Sequence, residues 1–320
     1  MARVLIVCPF PAGSRLGNRV TAARWRTLIG DLGHSVRVID GMPKTPYDVL
    51  VTLHARKTAG AVLWSAQERP AAPIVVALTG TDLYRDILED PDAQRSLRLA
   101  ARLVVLHDRA PGAVPRAMRP KVRVIRQSAD RAPTPAKSGR GSFDVALVAH
   151  LRAEKDPLRA ALAARLLPAD SRVRVVHAGR ALTGELRRAA LAEQGDNPRY
   201  RWLGELTPSR TRRLIARSRV MVLTSVMEGG ANVLGEAVAS GTPVLTSRIP
   251  AAVAALGSGY PGYFEVGDTQ GLACLLGRAE RDAAFLGRLT RATRARRALF
   301  TPAGERAAWR ALLAELGVRR

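Results

Sequence analysis

Apolar positions in this chain fall in short unbroken runs, separated by longer stretches with helical spacing. Buried parallel strands alternating with helices produce that pattern. In the first half the runs predict strands at Val4–Cys8, Ser35–Ile39, Val49–Leu53, Ile74–Leu78, Leu103–Leu106 and Val122–Ile125. Helices are expected between them, beginning near Asn18, Lys57, Leu83 and Ala110. Ala132 to Gly141 is rich in Pro, Ser, Gly and charge, has no apolar periodicity, and reads as a linker. A second series predicts strands at Phe143–Ala149, Arg172–Ala178, Tyr200–Leu203, Arg219–Leu223 and Pro243–Thr246. Its helices are expected to start near Lys155, Leu182, Thr207, Ala231, Pro250 and Thr269. The closing stretch from Ala283 to Gly317 is helical, and Thr301-Pro302 divides it.

Strict alternation implies parallel sheets covered on both faces. The fold class is therefore α/β, with two Rossmann-like domains expected at residues 1–131 and 142–300. Residues 301–320 form a last helix expected to pack back toward the first domain. Two such sheets joined by one linker would face each other across a cleft. No repeat of solenoid period is visible.

Composition changes little in this picture. At 320 residues and 47% apolar content, the chain can bury two ordinary cores. No apolar run approaches the roughly 20 residues of a membrane span. The start, MARVLIVCPFPAGS, reads as a first strand rather than a leader, because its apolar run is short and leads into Gly13 and Gly17. Cys8 and Cys274 lack metal-ligand spacing and read as buried reduced thiols of a cytoplasmic protein. The net charge of +24 comes from 51 basic residues, of which 46 are arginine. They are scattered through every predicted helix, and aromatics are only 4%, so no nucleic-acid partner is expected.

The densest chemistry lies in TSVMEGGANVLGEAVASGTPVLT, Thr224 to Thr246. Glu228 and Glu236 stand either side of a glycine-containing turn, directly after a buried strand. A carboxylate and a run of backbone N–H groups thus meet at a strand's carboxyl end, where open α/β sheets bind ligands. That suits an anionic, hydroxyl-rich ligand. Arg152 and Lys155 follow the first strand of the second half, and could neutralise a diphosphate leaving group without a metal.

Other candidates lie in the first half. The turn Pro9 to Asn18, with Gly13, Ser14 and Gly17, offers backbone N–H groups and a helix dipole to an anion, or is simply a tight turn. It does not match G-x-G-x-x-G, so no dinucleotide is implied. His54, Arg56 and Lys57 follow the third strand as three groups able to carry positive charge, a phosphate-type pocket. In Thr79-Gly80-Thr81-Asp82, Asp82 either caps the next helix or orients a substrate hydroxyl or a base. His107 and His177 read as core or rim histidines, and Asp90-Pro91-Asp92 as an exposed turn rather than a metal site.

With Arg152, Lys155 and Glu228-x7-Glu236 in this order, flanked by a strand ending in Ser and by G-T-P-V, the chain resembles GT4-type retaining glycosyltransferases of the GT-B fold. The resemblance implies that Glu236 binds the ribose hydroxyls of a nucleotide sugar, while Glu228 and the backbone from Gly229 and Gly230 through Ala231, Asn232 and Val233 hold the donor sugar. It implies Arg152 and Lys155 on the diphosphate, Leu206 against the nucleobase, and no metal or other cofactor beyond the substrate UDP-sugar. The usual E-G-F-G is E-G-G-A here, which alters the shape of the sugar pocket. GNRVTAARW, DVLVTLHARKTA, ALTGTDLYRDI and RVIRQSA together resemble the selenosugar synthases of bacterial selenoneine biosynthesis, over nearly the whole chain. That likeness implies transfer from UDP-N-acetylglucosamine to the selenium of selenophosphate. The acceptor would be held by Gly13, Ser14, Gly17, Asn18, His54, Arg56, Lys57, Thr81 and Asp82. Another small anionic acceptor, or epimerisation of a nucleotide sugar, remain alternatives.

Overall fold

The structure is a computed structural model that describes residues 1–130 and 141–318. The stretch expected to be a linker lies, but for Gly141, outside the described residues. By contacts the chain divides into two units, one of Met1–Ser128, Glu228–Asn232 and Thr301–Arg320, the other of Ala129–Met227 and Val233–Phe300.

The first unit is built on a six-stranded parallel sheet. Its strands are β1 Arg3–Val7, β2 Ser35–Ile39, β3 Val49–Leu53, β4 Ile74–Leu78, β5 Arg102–Val105 and β6 Val122–Val124, in the order β2-β1-β3-β4-β5-β6. Alternate side chains go to opposite faces. Leu5, Val7, Leu50, Val76 and Leu78 enter one buried cluster, and Val4, Ile6, Val49, Val51 and Leu53 the other. The helices are α1 Gly17–Gly30, α2 Ala59–Glu68, α3 Ile87–Glu89 and α4 Pro91–Leu99. A π-helical turn, Asp82–Asp86, precedes α3.

The second unit carries another six-stranded parallel sheet. Here β7 Phe143–Val148, β8 Val173–Ala178, β9 Tyr200–Trp202, β10 Val220–Leu223, β11 Val244–Ser247 and β12 Tyr263–Phe264 run in the order β12-β11-β10-β7-β8-β9. Its helices are α5 Arg159–Arg165, α6 Gly184–Asp196, α7 Pro208–Arg217, α8 Asn232–Ser240, α9 Pro250–Leu256, α10 Thr269–Arg281 and α11 Ala283–Ala295. The last helix, α12 Pro302–Glu315, packs on α1 in the first unit. Trp25 and Trp309, both fully buried, meet edge to face with ring centroids 4.8 Å apart.

The alternation read from the sequence therefore holds, with local corrections. The expected helix near Ala110 is only a 3-10 turn, Ala110–Ala113, because Pro115 prevents its continuation. The one near Lys155 is a 3-10 turn, Ala153–Lys155, which Asp156 breaks at φ 43° just before Pro157. α5 starts only at Arg159. Asp90-Pro91-Asp92 is not a free turn: the Asp90 carboxylate accepts from the Ala93 N–H and caps α4. Strand β12 is two residues long, too short to leave a pattern. Cys8 is buried, but Cys274 is exposed on the outer side of α10.

Candidate active site

In each unit some of the candidate residues follow the two strands at which the strand order reverses, whereas Thr81 and Asp82 follow β4 and Leu206 follows β9. Crossovers leave a crevice beyond the carboxyl ends of the two strands that flank such a reversal. In the first unit those strands are β1 and β3, followed by the Pro9–Leu16 loop and by His54. In the second they are β7 and β10, followed by Arg152–Asp156 and by Thr224–Ser225.

Along the β1 loop, Gly13 takes φ 86°, a conformation that suits glycine. The Ser14 hydroxyl accepts from Leu16 N–H at 3.3 Å. α1 then opens at Gly17 without a side-chain cap and without an acidic residue in its first turn. Its N–H groups and dipole are therefore available to an anion. Gly13 and Gly17 are exposed, Ser14 and Asn18 half-buried.

His54 departs from expectation. It is buried and sits at φ 90°, a strained conformation for a residue with a Cβ. Its backbone is held there by Ala77 O, which accepts its N–H, and by the Thr58 hydroxyl, which donates to its carbonyl at 2.9 Å. Nε2 lies 3.0 Å from the Thr81 hydroxyl, while Nδ1 faces the Lys57 N–H at 3.3 Å. Nδ1 is thereby the acceptor and Nε2 the protonated nitrogen. Burial lowers the pKa of this imidazole, against the pull of Asp82 and Asp86. So His54 is a neutral hydrogen-bonding group and not the third cation. Arg56 and Lys57 are exposed; Arg56 Nε lies 3.2 Å from Asp86, and the Lys57 ammonium sits 5.0 Å from the centre of the Phe10 ring.

Asp82 is fully buried, and its carboxylate accepts from the N–H groups of Ala55, Thr79 and Gly80. It ties the ends of β3 and β4 together instead of capping the turn that follows it. Its place is that of a strut beneath His54 and Thr81, whose hydroxyl is half-buried.

The loop Glu228–Asn232 belongs to the first unit, where it explains the unusual E-G-G-A. A Cβ on Gly229 would collide with the Thr79 carbonyl and the Gly80 nitrogen. One on Gly230 would meet Gln127 Oε1 at 2.5 Å and Leu106 at 2.8 Å. Gln127 is itself held, donating to the Thr21 hydroxyl at 2.6 Å. The space next to Gly230 is thus taken by Gln127 and Leu106. Ala231 carries φ 45°, so the loop keeps a glycine-type backbone without the glycine. Glu228 is buried, and its charge, after burial itself, helps push the Tyr84 hydroxyl up to about 12. That hydroxyl lies 2.9 Å from Nε2 of His107, an imidazole that burial holds down at about 4. Half-buried Tyr84 and buried His107 are polar neighbours that the sequence alone does not connect to Glu228.

In the second unit the Ala153–Lys155 turn is pinned to the end of β10. The Thr224 hydroxyl donates to Lys155 O at 2.8 Å, and Val226 N–H to Glu154 O at 2.9 Å. Behind it, Ser247 donates to Ser225 O at 2.6 Å. Below β7, fully buried His177 bridges Ala149 O at 2.9 Å and the Tyr200 hydroxyl at 2.7 Å, and burial holds it at about 4. Arg152, Lys155, Leu206, Val233 and Glu236 are all half-buried. Leu206 follows Gly204, which turns at φ 67°.

Residues 143–282 match the family model described as "Glycosyl transferases group 1". That stretch is similar to a group 1 glycosyltransferase domain, and the protein is a glycosyltransferase. The glycosyltransferase is also similar to solved structures along almost its whole length, with two parallel six-stranded sheets of GT-B type. Sucrose-phosphate synthase from Thermosynechococcus elongatus superposes with a TM-score of 0.81 at 14% identity, covering 98% of each chain. HepE from Anabaena, in complex with UDP-glucose, superposes at 0.79 and 16% identity, covering 98% of this chain and all of that one. The pneumococcal O-GlcNAc transferase GtfA, in complex with UDP and GlcNAc, superposes at 0.63 and 16% identity, over 84% of this chain and 57% of that one. At these identities the likeness is one of fold. No curated protein matches the chain. Among the described residues no helix is long and apolar enough to cross a membrane.

Proposed function

We propose that this glycosyltransferase uses a UDP-sugar as donor, UDP-N-acetylglucosamine by first choice, and transfers its glycosyl group to the selenium of selenophosphate. The observation that carries the donor half is the Ala153–Lys155 turn locked by Thr224 onto the end of β10, at the point where the second sheet reverses. Lys155 and Arg152 then sit on a fixed backbone where a diphosphate can be bound and, as it leaves, stabilised. Glu236 would take the ribose hydroxyls, Leu206 the base face, and Glu228 with the Gly229–Val233 backbone the sugar. The complexes of HepE with UDP-glucose and of GtfA with UDP and GlcNAc support a uridine nucleotide on this fold.

For the acceptor, the first-unit loops supply N–H groups at Gly17 and Asn18, the cations Arg56 and Lys57, and neutral hydrogen-bonding groups at His54 and Thr81. That set suits a small anion. Selenium of selenophosphate attacks the anomeric carbon as the bond from that carbon to the UDP oxygen breaks, and UDP departs with the electron pair. Water then cleaves the Se–P bond, releasing phosphate and the selenosugar. Selenium is already a soft anionic nucleophile, so the site need not supply a strong base. The exposed Arg56 and Lys57 would equally hold a sugar phosphate, which is the second reading.

Purified protein incubated with UDP-N-acetylglucosamine and selenophosphate, followed by mass spectrometry, tests the assignment. A selenium-bearing glycoside with stoichiometric UDP supports it. Glycosylation only of a sugar phosphate moves the enzyme to the second reading, and interconversion of the nucleotide sugar alone removes both.

A further inference from the structure

Arg24 stands on α1, and its guanidinium joins two groups far apart in sequence. Nη2 donates to Oδ1 of Asn232 at 2.8 Å, and Nε lies 3.2 Å from Oε2 of Glu305. Glu305, in the first turn of α12, is 2% exposed. Its carboxylate also accepts from the Trp25 indole N–H at 2.7 Å, from the Ser128 N–H at 2.7 Å and from the Ser128 hydroxyl. A buried carboxylate surrounded by so many donors is a fixed anchor, and truncating it would strand the charge of Arg24.

The consequence falls on Asn232. A guanidinium has donors only, so the amide must turn its oxygen toward Arg24 and its nitrogen away. Nδ2 then lies 3.9 Å from the position a Cβ on Gly17 would occupy, beside the uncapped start of α1. Gly17 has no side chain to fill that space.

We infer that Arg24, anchored by Glu305, is a positioning residue that orients the Asn232 carboxamide so that Nδ2 offers its hydrogens to an anionic oxygen of the sugar-nucleotide donor. The inference rests on the donor reading of the Glu228–Asn232 loop given above. Through this chain of contacts α12 serves the donor loop without touching substrate. Nothing in the sequence hints at it, since Arg24 is one of 46 arginines and Glu305 lies 281 positions away.

The test is UDP titrated by calorimetry into the full chain and into Arg24→Leu, Asn232→Asp and the double variant, with melting temperatures on the same samples. Arg24→Leu should weaken UDP about tenfold, the worth of one charge-assisted hydrogen bond. Asn232→Asp separates positioning from packing. It keeps an acceptor for Arg24, so a pure packing role, with Nδ2 turned away from the nucleotide, predicts UDP binding nearly unchanged. Exchange of the Nδ2 donors for an anionic oxygen facing the nucleotide predicts instead weakening of about tenfold or more at an equal or higher melting temperature. Adding Arg24→Leu to Asn232→Asp should cost no further affinity. UDP affinity within twofold of the parent in either single variant overturns the proposal, as does full multiplication of the two effects. If the unmodified protein binds no UDP, the donor reading fails instead. The positioning is then read in the ligand-free protein from the Asn232 side-chain amide signals: a shift toward random-coil values in Arg24→Leu supports it, and unchanged signals overturn it.

Discussion

The hydroxyl of Thr224 donates to the carbonyl oxygen of Lys155 at 2.8 Å, so the end of β10 holds the turn that follows β7. The two strands are neighbours in the sheet although the two residues stand 69 positions apart in the chain. Lys155 therefore projects from a backbone that the sheet itself positions. Leaving-group charge develops mainly in the transition state, so Lys155→Ala should lower kcat by about a hundredfold and the donor KM little. Thr224→Val should lower kcat by about tenfold at a stability cost of about 1 kcal/mol. Steady-state kinetics check both. An unchanged kcat with a raised donor KM would make Lys155 a binding residue only.

Glu236→Ala should weaken UDP about tenfold, because a carboxylate bridging two ribose hydroxyls contributes one to two charge-assisted hydrogen bonds. Calorimetry with UDP reads this directly. Unaltered affinity would remove Glu236 from the ribose.

Gly229 and Ala231 make opposite predictions within one loop. Gly229→Ala drives a methyl into the Thr79 carbonyl, and backbone cannot yield cheaply, so it should destabilise by about 1–3 kcal/mol. Ala231→Gly relieves a left-handed alanine at φ 45° and should stabilise by about 1 kcal/mol, raising Tm by about 2–4 °C. Thermal unfolding of the two variants tests the pair, and a lower Tm for Ala231→Gly would contradict it.

Trp309→Ala should cost about 3–5 kcal/mol, because the ring is fully buried between α12 and Trp25. Urea unfolding checks the loss, which should appear in the first unit's transition.

Acid should destabilise the protein before its carboxylates titrate. His177 and His107 are held by burial at about 4, and His54 is shifted in the same direction, against an ordinary value of 6.5. Between those limits the unfolded chain binds protons that the folded chain refuses, so stability rises with pH there. It should be level above about pH 7 and fall from pH 6.5 toward 4, by at most about 1.4 kcal/mol per pH unit for each histidine. His177→Gln should flatten that slope; an unchanged slope would mean that His177 already takes up its proton in the folded state.

Much of this was legible from the chain because strand and helix patterns are local. VLVTL and IVVAL are fully buried strands and look like it, and the Glu228-x7-Glu236 spacing survives as a loop and the second turn of a helix. What escaped were short or interrupted elements, such as two-residue β12 and the proline-stopped turns at Ala110 and Lys155. His54 reads as a cation from the chain and is neutral in the fold, because a strand-end position reveals nothing about burial. Its ionisation is set first by burial, with Asp82 and Asp86, which arrive from the next strand, pulling the other way.

The sequence by itself determined two parallel α/β sheets, the order of their elements and the glutamate pair after β10, since periodicity and spacing are properties of neighbours along the chain. Tertiary structure decided which charges persist and which backbones are strained. It buried His54 and thereby neutralised it, aimed both oxygens of Asp82 at backbone N–H groups, filled the space around Gly229 and Gly230 with Thr79, Gln127 and Leu106, and set Glu305 behind Arg24. Each of those outcomes is a matter of desolvation or close approach between segments distant in the chain, and a linear pattern carries neither.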